Sequence, residues 1–126
     1  MTDLTPHAKA LVVEDNKSIS HVLTFILERE GFEVVLAEDG KVAMNTIENE
    51  SAFTLALVDL MLPFYDGFQI IERIRQTKTW KEVPIIILSG KTKEMDIVKA
   101  LKAGADDYVI KPFQPGELVA RIHRFS

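Results

Sequence analysis

The chain has 126 residues, the size of one compact domain, and its 47% hydrophobic and 27% charged residues are typical of a globular protein. It contains no cysteine, which excludes disulfide bonds, thiolate metal sites and a cysteine nucleophile. A net charge of −4 argues against nucleic acid binding by this domain, because phosphate contacts need clustered positive charge.

Short apolar runs alternate with amphipathic segments along the chain. The predicted strands are residues 10–13, 34–37, 55–58, 85–88 and 108–110. The predicted helices follow them at residues 19–27, around 42–47, at 67–78, around 98–103, and from about 115 to the end. Gly31 and Gly104 are expected to end the first and fourth helices.

This alternation predicts an α/β fold of the flavodoxin-like (βα)5 type, a three-layer sandwich with a five-stranded parallel sheet in the order 2-1-3-4-5. We expect one domain over residues 1–126, with residues 1–7 as a flexible lead-in. Because the last helix stops in mid-pattern, we also expect the chain to be the N-terminal part of a longer protein. The apolar runs are too short to span a membrane and no secretory leader is visible, so we expect a cytoplasmic protein without a membrane partner.

Polar residues follow the predicted strands at one end of the sheet. Glu14 and Asp15 follow the first strand, Asp59 the third, Ser89 the fourth and Lys111 the fifth. Ligands of open α/β sheets bind beyond the carboxyl ends of the strands, where the strand order reverses, which here is between strands one and three. These five residues are therefore the candidate site.

Three carboxylates brought together in this way would repel one another unless a cation were bound. Oxygen ligands without Cys or His favour Mg²⁺, which together with Lys111 would neutralise the three acids and suit an anionic phosphoryl group. A carboxylate can also act as a nucleophile and form an aspartyl-phosphate. The simpler alternatives are that Glu14 and Asp15 only cap the following helix and that Asp59 is an ordinary turn residue.

The sequence resembles the receiver domain of two-component response regulators from about residue 9 to residue 125. The matching blocks are Glu14-Asp15, DLMLPFYDG at residues 59–67, IILSG at 86–90 and GADDYVIKPF at 104–113. Residues 105–122 most resemble receivers attached to winged-helix DNA-binding domains, which implies transcription regulation by an output domain beyond Ser126.

The resemblance implies that Asp59 is the phosphoacceptor for a sensor histidine kinase. Glu14, Asp15, Asp59 and the backbone carbonyl of Met61 would hold Mg²⁺, and Lys111 would pair with the phosphoryl oxygens. Such a domain is a signalling module and not an enzyme, although it assists its own phosphoryl transfer and hydrolysis.

The resemblance also implies a conformational switch. Ser89 would move to hydrogen-bond the phosphoryl group, Tyr108 would rotate inward, and Pro112 should follow a cis peptide bond. The face formed by the fourth helix, fifth strand and fifth helix would then form a homodimer on phosphorylation, through crossed ion pairs of Asp107 and Arg121. The alternative is that these two are surface charges worth ~0–1 kcal/mol.

Some positions depart from the usual family pattern, and other functions are alternatives to it. Glu14 and Ser89 replace the more frequent Asp and Thr. Phe64 and Tyr65 are expected to pack within their loop, the alternative being an exposed patch that contacts a partner. A pseudo-receiver, an interaction module not controlled by phosphorylation, is the main alternative. A phosphatase of the haloacid-dehalogenase type would carry a second Asp where Met61 stands, and a nucleotide-binding domain would need a glycine-rich loop after the first strand.

Overall fold

Strands and helices alternate along residues 8–125, the part of the chain that the structure, a computed structural model, describes. The elements are β1 Ala8–Val13, α1 Lys17–Arg29, β2 Phe32–Ala37, α2 Gly40–Asn49, β3 Leu55–Asp59, α3 Gly67–Gln76, β4 Ile85–Ser89, α4 Glu94–Ala103, β5 Asp107–Ile110 and α5 Pro115–His123. The strands form one parallel sheet in the order β2-β1-β3-β4-β5, which confirms the predicted order. The predicted lead-in, residues 1–7, lies outside the described residues.

The helices cover both faces of the sheet and make three layers. Alternate residues of a strand point to opposite faces, so Leu11 and Val13 pack with α2, α3 and α4, whereas Ala10 and Val12 pack with α1 and α5. Every residue of β3 and β4 is buried, which explains why their sequences are continuously apolar. Among the described helices, none combines the length and apolar character that crossing a membrane requires.

Short polar side chains cap the N-termini of two of the helices that follow the carboxyl ends of the strands. The side chain of Asn16 accepts a hydrogen bond from the Ile19 amide at 3.0 Å and so caps α1. Asp66 caps α3 through a capping box. The alternative in which Glu14 or Asp15 caps α1 is therefore wrong, and both carboxylates are left for other interactions.

Several predicted boundaries differ from the structure, among them the ends of α3, β3 and β4. The third helix ends at Gln76 and not near residue 78, because Thr77 adopts an extended conformation and its hydroxyl donates to the carbonyl oxygen of Arg73 at 2.7 Å. Strands β3 and β4 extend one residue further than predicted, to Asp59 and Ser89. These two polar residues are thus the last residues of their strands and lie within the sheet.

Arg75 ties the opposite edge of the sheet together. Its guanidinium donates to the carbonyl oxygens of Val83 and Gly104, both at 2.7 Å, and to the Asp106 carboxylate at 2.9 Å. Asp106 in turn accepts a hydrogen bond from the amide of Ile85, the first residue of β4, at 2.8 Å. One side chain of α3 therefore holds the chain segments that precede β4 and β5.

We expect Arg75→Ala to lower the free energy of unfolding by about 2–3 kcal/mol, because several backbone acceptors lose a charged donor. The matched control is Arg73→Ala on the same helix, where the guanidinium pairs with one half-exposed partner, Glu48. That change should cost less than about 1 kcal/mol. Urea denaturation measures both, and equal losses in the two variants would contradict the role of Arg75.

Candidate functional site

The register of β1 against β3 brings the predicted acids together. Val13 lies opposite Val58 in this parallel pair, so the next residues, Glu14 and Asp59, emerge side by side at the carboxyl edge. Carboxylate oxygens of Glu14, Asp15 and Asp59 lie within 4.8 Å of one another. The three residues, called the acidic cluster below, are those that the strand ends predicted.

Two members of the acidic cluster are buried and held by backbone amides. Glu14 is 3% exposed and Asp59 is 8% exposed, whereas Asp15 faces solvent. The Asn16 amide donates to Glu14 Oε2 at 3.2 Å, and the Met61 amide donates to Asp59 Oδ1, also at 3.2 Å. The remaining oxygen of each buried carboxylate faces Lys111.

Lys111 bridges the two buried carboxylates. Its Nζ donates to Glu14 Oε1 at 2.5 Å and to Asp59 Oδ2 at 3.2 Å. Its backbone amide donates to the Ser89 carbonyl at 2.8 Å, which places β5 beside β4 at this edge. The peptide bond between Lys111 and Pro112 is cis.

The acidic cluster carries more negative charge than its surroundings neutralise. Burial raises the pKa of Glu14, and the nearby charge of Asp59 raises it further. Hydrogen bonds from Lys111 and from the Asn16 amide act in the opposite direction without cancelling the burial. The site therefore favours the binding of additional positive charge.

The donor set of the acidic cluster suits a hard divalent cation. It offers three carboxylates on one edge of the sheet, and the chain has no cysteine to add a soft ligand. Mg²⁺ prefers such oxygen ligands and commonly keeps several waters, which the exposed side of Asp15 would permit. An adjoining cleft of about 580 Å³ is lined in part by Asp15, Met61 and Lys91 and gives solvent access to the cluster.

Ser89 and Tyr108 are linked through the backbone of Lys91. The Lys91 amide donates to Ser89 Oγ at 3.1 Å, and the Tyr108 hydroxyl donates to the Lys91 carbonyl at 2.8 Å. Ser89 is buried and Tyr108 half-buried. Nothing in the sequence marks this connection, because the bonds are made by the backbone of Lys91 and not by its side chain.

Arg121 and Asp107 form an ion pair within the chain. Nη1 of Arg121 donates to both carboxylate oxygens of Asp107 at 2.9 Å, and Arg124 lies 3.5 Å from the same carboxylate. The hydrogen bond from Arg121 to Asp107 raises the pKa of the guanidinium. The residues predicted to pair across a dimer thus already join β5 to α5.

The loop between β3 and α3 contains an exposed aromatic residue beside the site. The ring of Phe64 is 73% exposed, so the expectation that it packs within the loop is wrong. Its backbone has φ of +72°, in the left-handed region that residues with side chains rarely adopt. Tyr65 is also exposed, at 40%, although its backbone packs against α2.

Comparison with known proteins identifies the class to which this fold and site belong. Residues 10–123 match the family described as the response regulator receiver domain. The chain therefore belongs to the receiver-domain family of response regulators.

Curated relatives with similar sequences are regulatory proteins. The regulatory protein VanRc of Enterococcus gallinarum is 45% identical over 114 residues, which cover 90% of this chain and 48% of that protein. The phosphate regulon transcriptional regulatory protein PhoB of Escherichia coli K12 is 43% identical, with 90% and 49% covered. The chain spans about half the length of these relatives, and the predicted similarity to receivers of the winged-helix transcriptional class is confirmed.

Solved structures of receiver domains are similar in fold. The receiver domain of the sensor histidine kinase PA1611 from Pseudomonas aeruginosa PAO1, with a magnesium ion coordinated in its active site cleft, has a TM-score of 0.85 at 32% identity, covering 95% of this chain and 98% of that one. The BeF3-activated DrrB receiver domain has a TM-score of 0.84 at 35% identity, covering 95% and 97%.

Glu14→Gln should stabilise the protein at neutral pH in metal-free buffer, raising the melting temperature by a few degrees. Because the folded-state pKa of Glu14 is raised, the folded state binds more protons than the unfolded state between the ordinary value of 4.5 and the raised value. The wild-type protein therefore loses stability as pH rises through that window, and the variant lacks this loss. Thermal melts across pH in EDTA measure the difference.

The exposed Glu38, which follows β2, provides the matched control. Glu38→Gln should change neither the melting temperature nor its pH dependence in the same window. A wild-type protein more stable than Glu14→Gln at neutral pH would show that the contact with Lys111 outweighs the burial of Glu14.

Proposed function

We propose that this domain is a phosphorylation-activated receiver that accepts a phosphoryl group on Asp59 from a sensor histidine kinase in a Mg²⁺-dependent reaction. The observation that carries the proposal is the convergence of Glu14, Asp15, Asp59 and Lys111 at the carboxyl edge of the sheet. The family membership of residues 10–123 supports the same function. A pseudo-receiver is less well supported, because every required functional group is present.

Mg²⁺ would be held by Asp15 and Asp59, with Glu14 in a supporting position and the Met61 carbonyl as a backbone ligand. When bound, it would neutralise the carboxylates and stabilise the negative charge of the phosphoryl oxygens. Asp59 is suited to its part because its carboxylate is fixed by the Met61 amide on one oxygen and by Lys111 on the other.

In the transfer step, a carboxylate oxygen of Asp59 attacks the phosphorus of a phosphohistidine. The new P–O bond forms as the P–N bond breaks, and the imidazole nitrogen leaves with the electron pair and takes a proton from solvent. Because Nζ of Lys111 lies 3.2 Å from Asp59 Oδ2, its ammonium would pair with the oxygens of a phosphoryl group on Asp59. The domain itself supplies positioning and charge, which is most of what phosphoryl transfer requires.

The phosphoryl group would then switch Ser89 and Tyr108. Ser89 Oγ now accepts from the Lys91 amide, and its hydroxyl proton is available to a phosphoryl oxygen. Movement of Ser89 toward Asp59 would shift the Lys91 backbone, to which the Tyr108 hydroxyl is bonded. A charge change at Asp59 would thereby reach the surface of β5.

Asp59→Ala should abolish labelling by a small phosphodonor such as acetyl phosphate, and should abolish binding of beryllofluoride in the presence of Mg²⁺. The carboxylate that accepts the group is absent from the variant, whereas Asp96→Ala on α4 should be labelled as the wild type is. Intact-mass spectrometry under nondenaturing conditions measures both. Label retained by Asp59→Ala would refute the assignment of the phosphoacceptor.

We further propose that the output is transcriptional and that phosphorylation promotes a homodimer through the surface of α4, β5 and α5. Curated relatives named as transcriptional regulatory proteins support the first statement. The second rests on exposed apolar side chains on this surface, at Met95, Val98, Leu101 and Ile110, beside the charged pair of Asp107 and Arg121.

Beryllofluoride with Mg²⁺ should convert the wild-type domain from monomer to dimer in analytical ultracentrifugation, and Arg121→Glu should prevent this, because it places a like charge beside Asp107. Lys81→Glu makes the same charge change at the opposite edge of the sheet and should leave dimer formation intact. A monomer in both states of the wild type would remove the dimer from the proposal.

A further inference from the structure

Gly40, the first residue of α2, touches the backbone of the loop between β3 and α3. It is buried, and its amide donates to the carbonyl oxygen of Pro63 at 3.1 Å. A Cβ atom added at Gly40 would lie well inside contact distance of the Tyr65 carbonyl oxygen, 2.7 Å from Tyr65 Cβ and 2.8 Å from the Tyr65 nitrogen. These atoms belong to the backbone or lie next to it, so the loop itself would have to move.

The part of the loop that Gly40 touches is a strained turn. The Pro63 carbonyl also accepts a hydrogen bond from the Tyr65 amide at 2.9 Å, which closes a three-residue turn around Phe64. Phe64 has φ of +72°, a conformation that is uncommon for a residue with a bulky side chain. The Phe64 ring is 73% exposed, with Lys41 Nζ 5.9 Å from its centroid, whereas the backbone of the turn contacts Gly40 directly.

The same loop carries the groups that the proposed phosphoryl transfer uses. It begins at Asp59 and includes Met61, whose amide is bonded to the Asp59 carboxylate. Its far end is fixed at Gly67, whose amide donates to the Leu60 carbonyl at 2.9 Å and where an added Cβ would lie 2.5 Å from the Asp59 carbonyl oxygen. Gly40, which lies in α2 and outside the loop, thus contacts the middle of the loop and restrains it.

We propose that Gly40 is a positioning residue for the phosphoacceptor loop, and that its missing side chain sets where the Met61 backbone lies relative to Asp59. The inference rests on the proposed function, since it concerns the same site. A substitution that displaces the Pro63–Tyr65 turn would move the Met61 peptide, which is two residues away along the chain. Groups that position metal ligands typically alter affinity or activity by about 10–100-fold when changed.

Gly40→Ala is the test variant and Gly116→Ala the matched control. Gly116 is also in the first turn of a helix, α5, but an added Cβ there meets nothing within 4 Å. Alanine favours helix more than glycine does, so Gly116→Ala should raise the melting temperature slightly and leave the site unchanged. Gly40→Ala should instead weaken Mg²⁺ binding and slow labelling by acetyl phosphate, each by about tenfold.

Three measurements separate positioning from a general loss of stability. Calorimetric titration gives the Mg²⁺ affinity, labelling at saturating Mg²⁺ gives the rate, and amide hydrogen exchange without metal reports on the Met61 amide. Gly40→Ala should exchange faster at Met61 while amides of β1 and β3 keep their wild-type protection. Wild-type affinity, rate and Met61 exchange in a folded Gly40→Ala protein would overturn the proposal.

The double variant Gly40→Ala with Phe64→Gly decides the question if the single variant does not fold. Glycine removes the strain at φ of +72°, so the loop can move away from α2 and the fold should recover. The Mg²⁺ affinity should remain reduced, because the loop is displaced. A folded double variant with wild-type affinity and Met61 exchange would contradict the role of Gly40.

Failure of the proposed function would give a different set of results from failure of the inference about Gly40. If the wild-type protein is not labelled and does not bind Mg²⁺, the phosphoacceptor assignment fails. The exchange rate of the Met61 amide still tests whether Gly40 positions the loop, since that measurement needs neither the metal nor the phosphodonor.

Discussion

The mutual repulsion of three carboxylates at one edge of the sheet is the constraint on which the rest of the site depends. The parallel pairing of β1 with β3 places Glu14 and Asp59 side by side, and burial raises the pKa of Glu14. Lys111 reduces the repulsion from the end of β5, through contacts of 2.5 and 3.2 Å with these two acids. Burial of the carboxylates is energetically unfavourable in the protein without a bound cation. The same burial favours the binding of a divalent cation and, with it, of an anionic phosphoryl group.

Hydrogen bonds join the end of β4, beside the acidic cluster, to the surface of β5 and α5. Ser89 at the end of β4 is bonded to the Lys91 amide, and the Lys91 carbonyl is bonded to the Tyr108 hydroxyl on β5. Asp107, the neighbour of Tyr108, is paired with Arg121 on α5. Under the proposed function, a displacement of Ser89 would pass along these hydrogen bonds and peptide units to the face of β5 and α5.

Much of the site could be predicted because strand ends are visible in the sequence. The polar residues at the end of each apolar run, such as Asp59 and Lys111, are brought together by any parallel sheet with the order 2-1-3-4-5. The sequence left open whether Phe64 packs within its loop or is exposed, because this depends on a turn in contact with α2, which lies far away in the sequence. The backbone hydrogen bonds of Lys91 could not be predicted from the sequence either, since the backbone groups are the same at almost every position.

The sequence by itself determined the helices and strands, their order along the chain and the chemical groups available. Hydrophobic periodicity and the positions of turn-forming residues are local properties of the chain. Tertiary structure decided the distances among those groups and the identity of the residues that hold them in place. It decided that Asn16 caps α1 and leaves Glu14 to the acidic cluster, and that Gly40 lies against the Pro63–Tyr65 turn. Such contacts join segments that no periodicity relates, so they exist only once the sheet and its helices have packed.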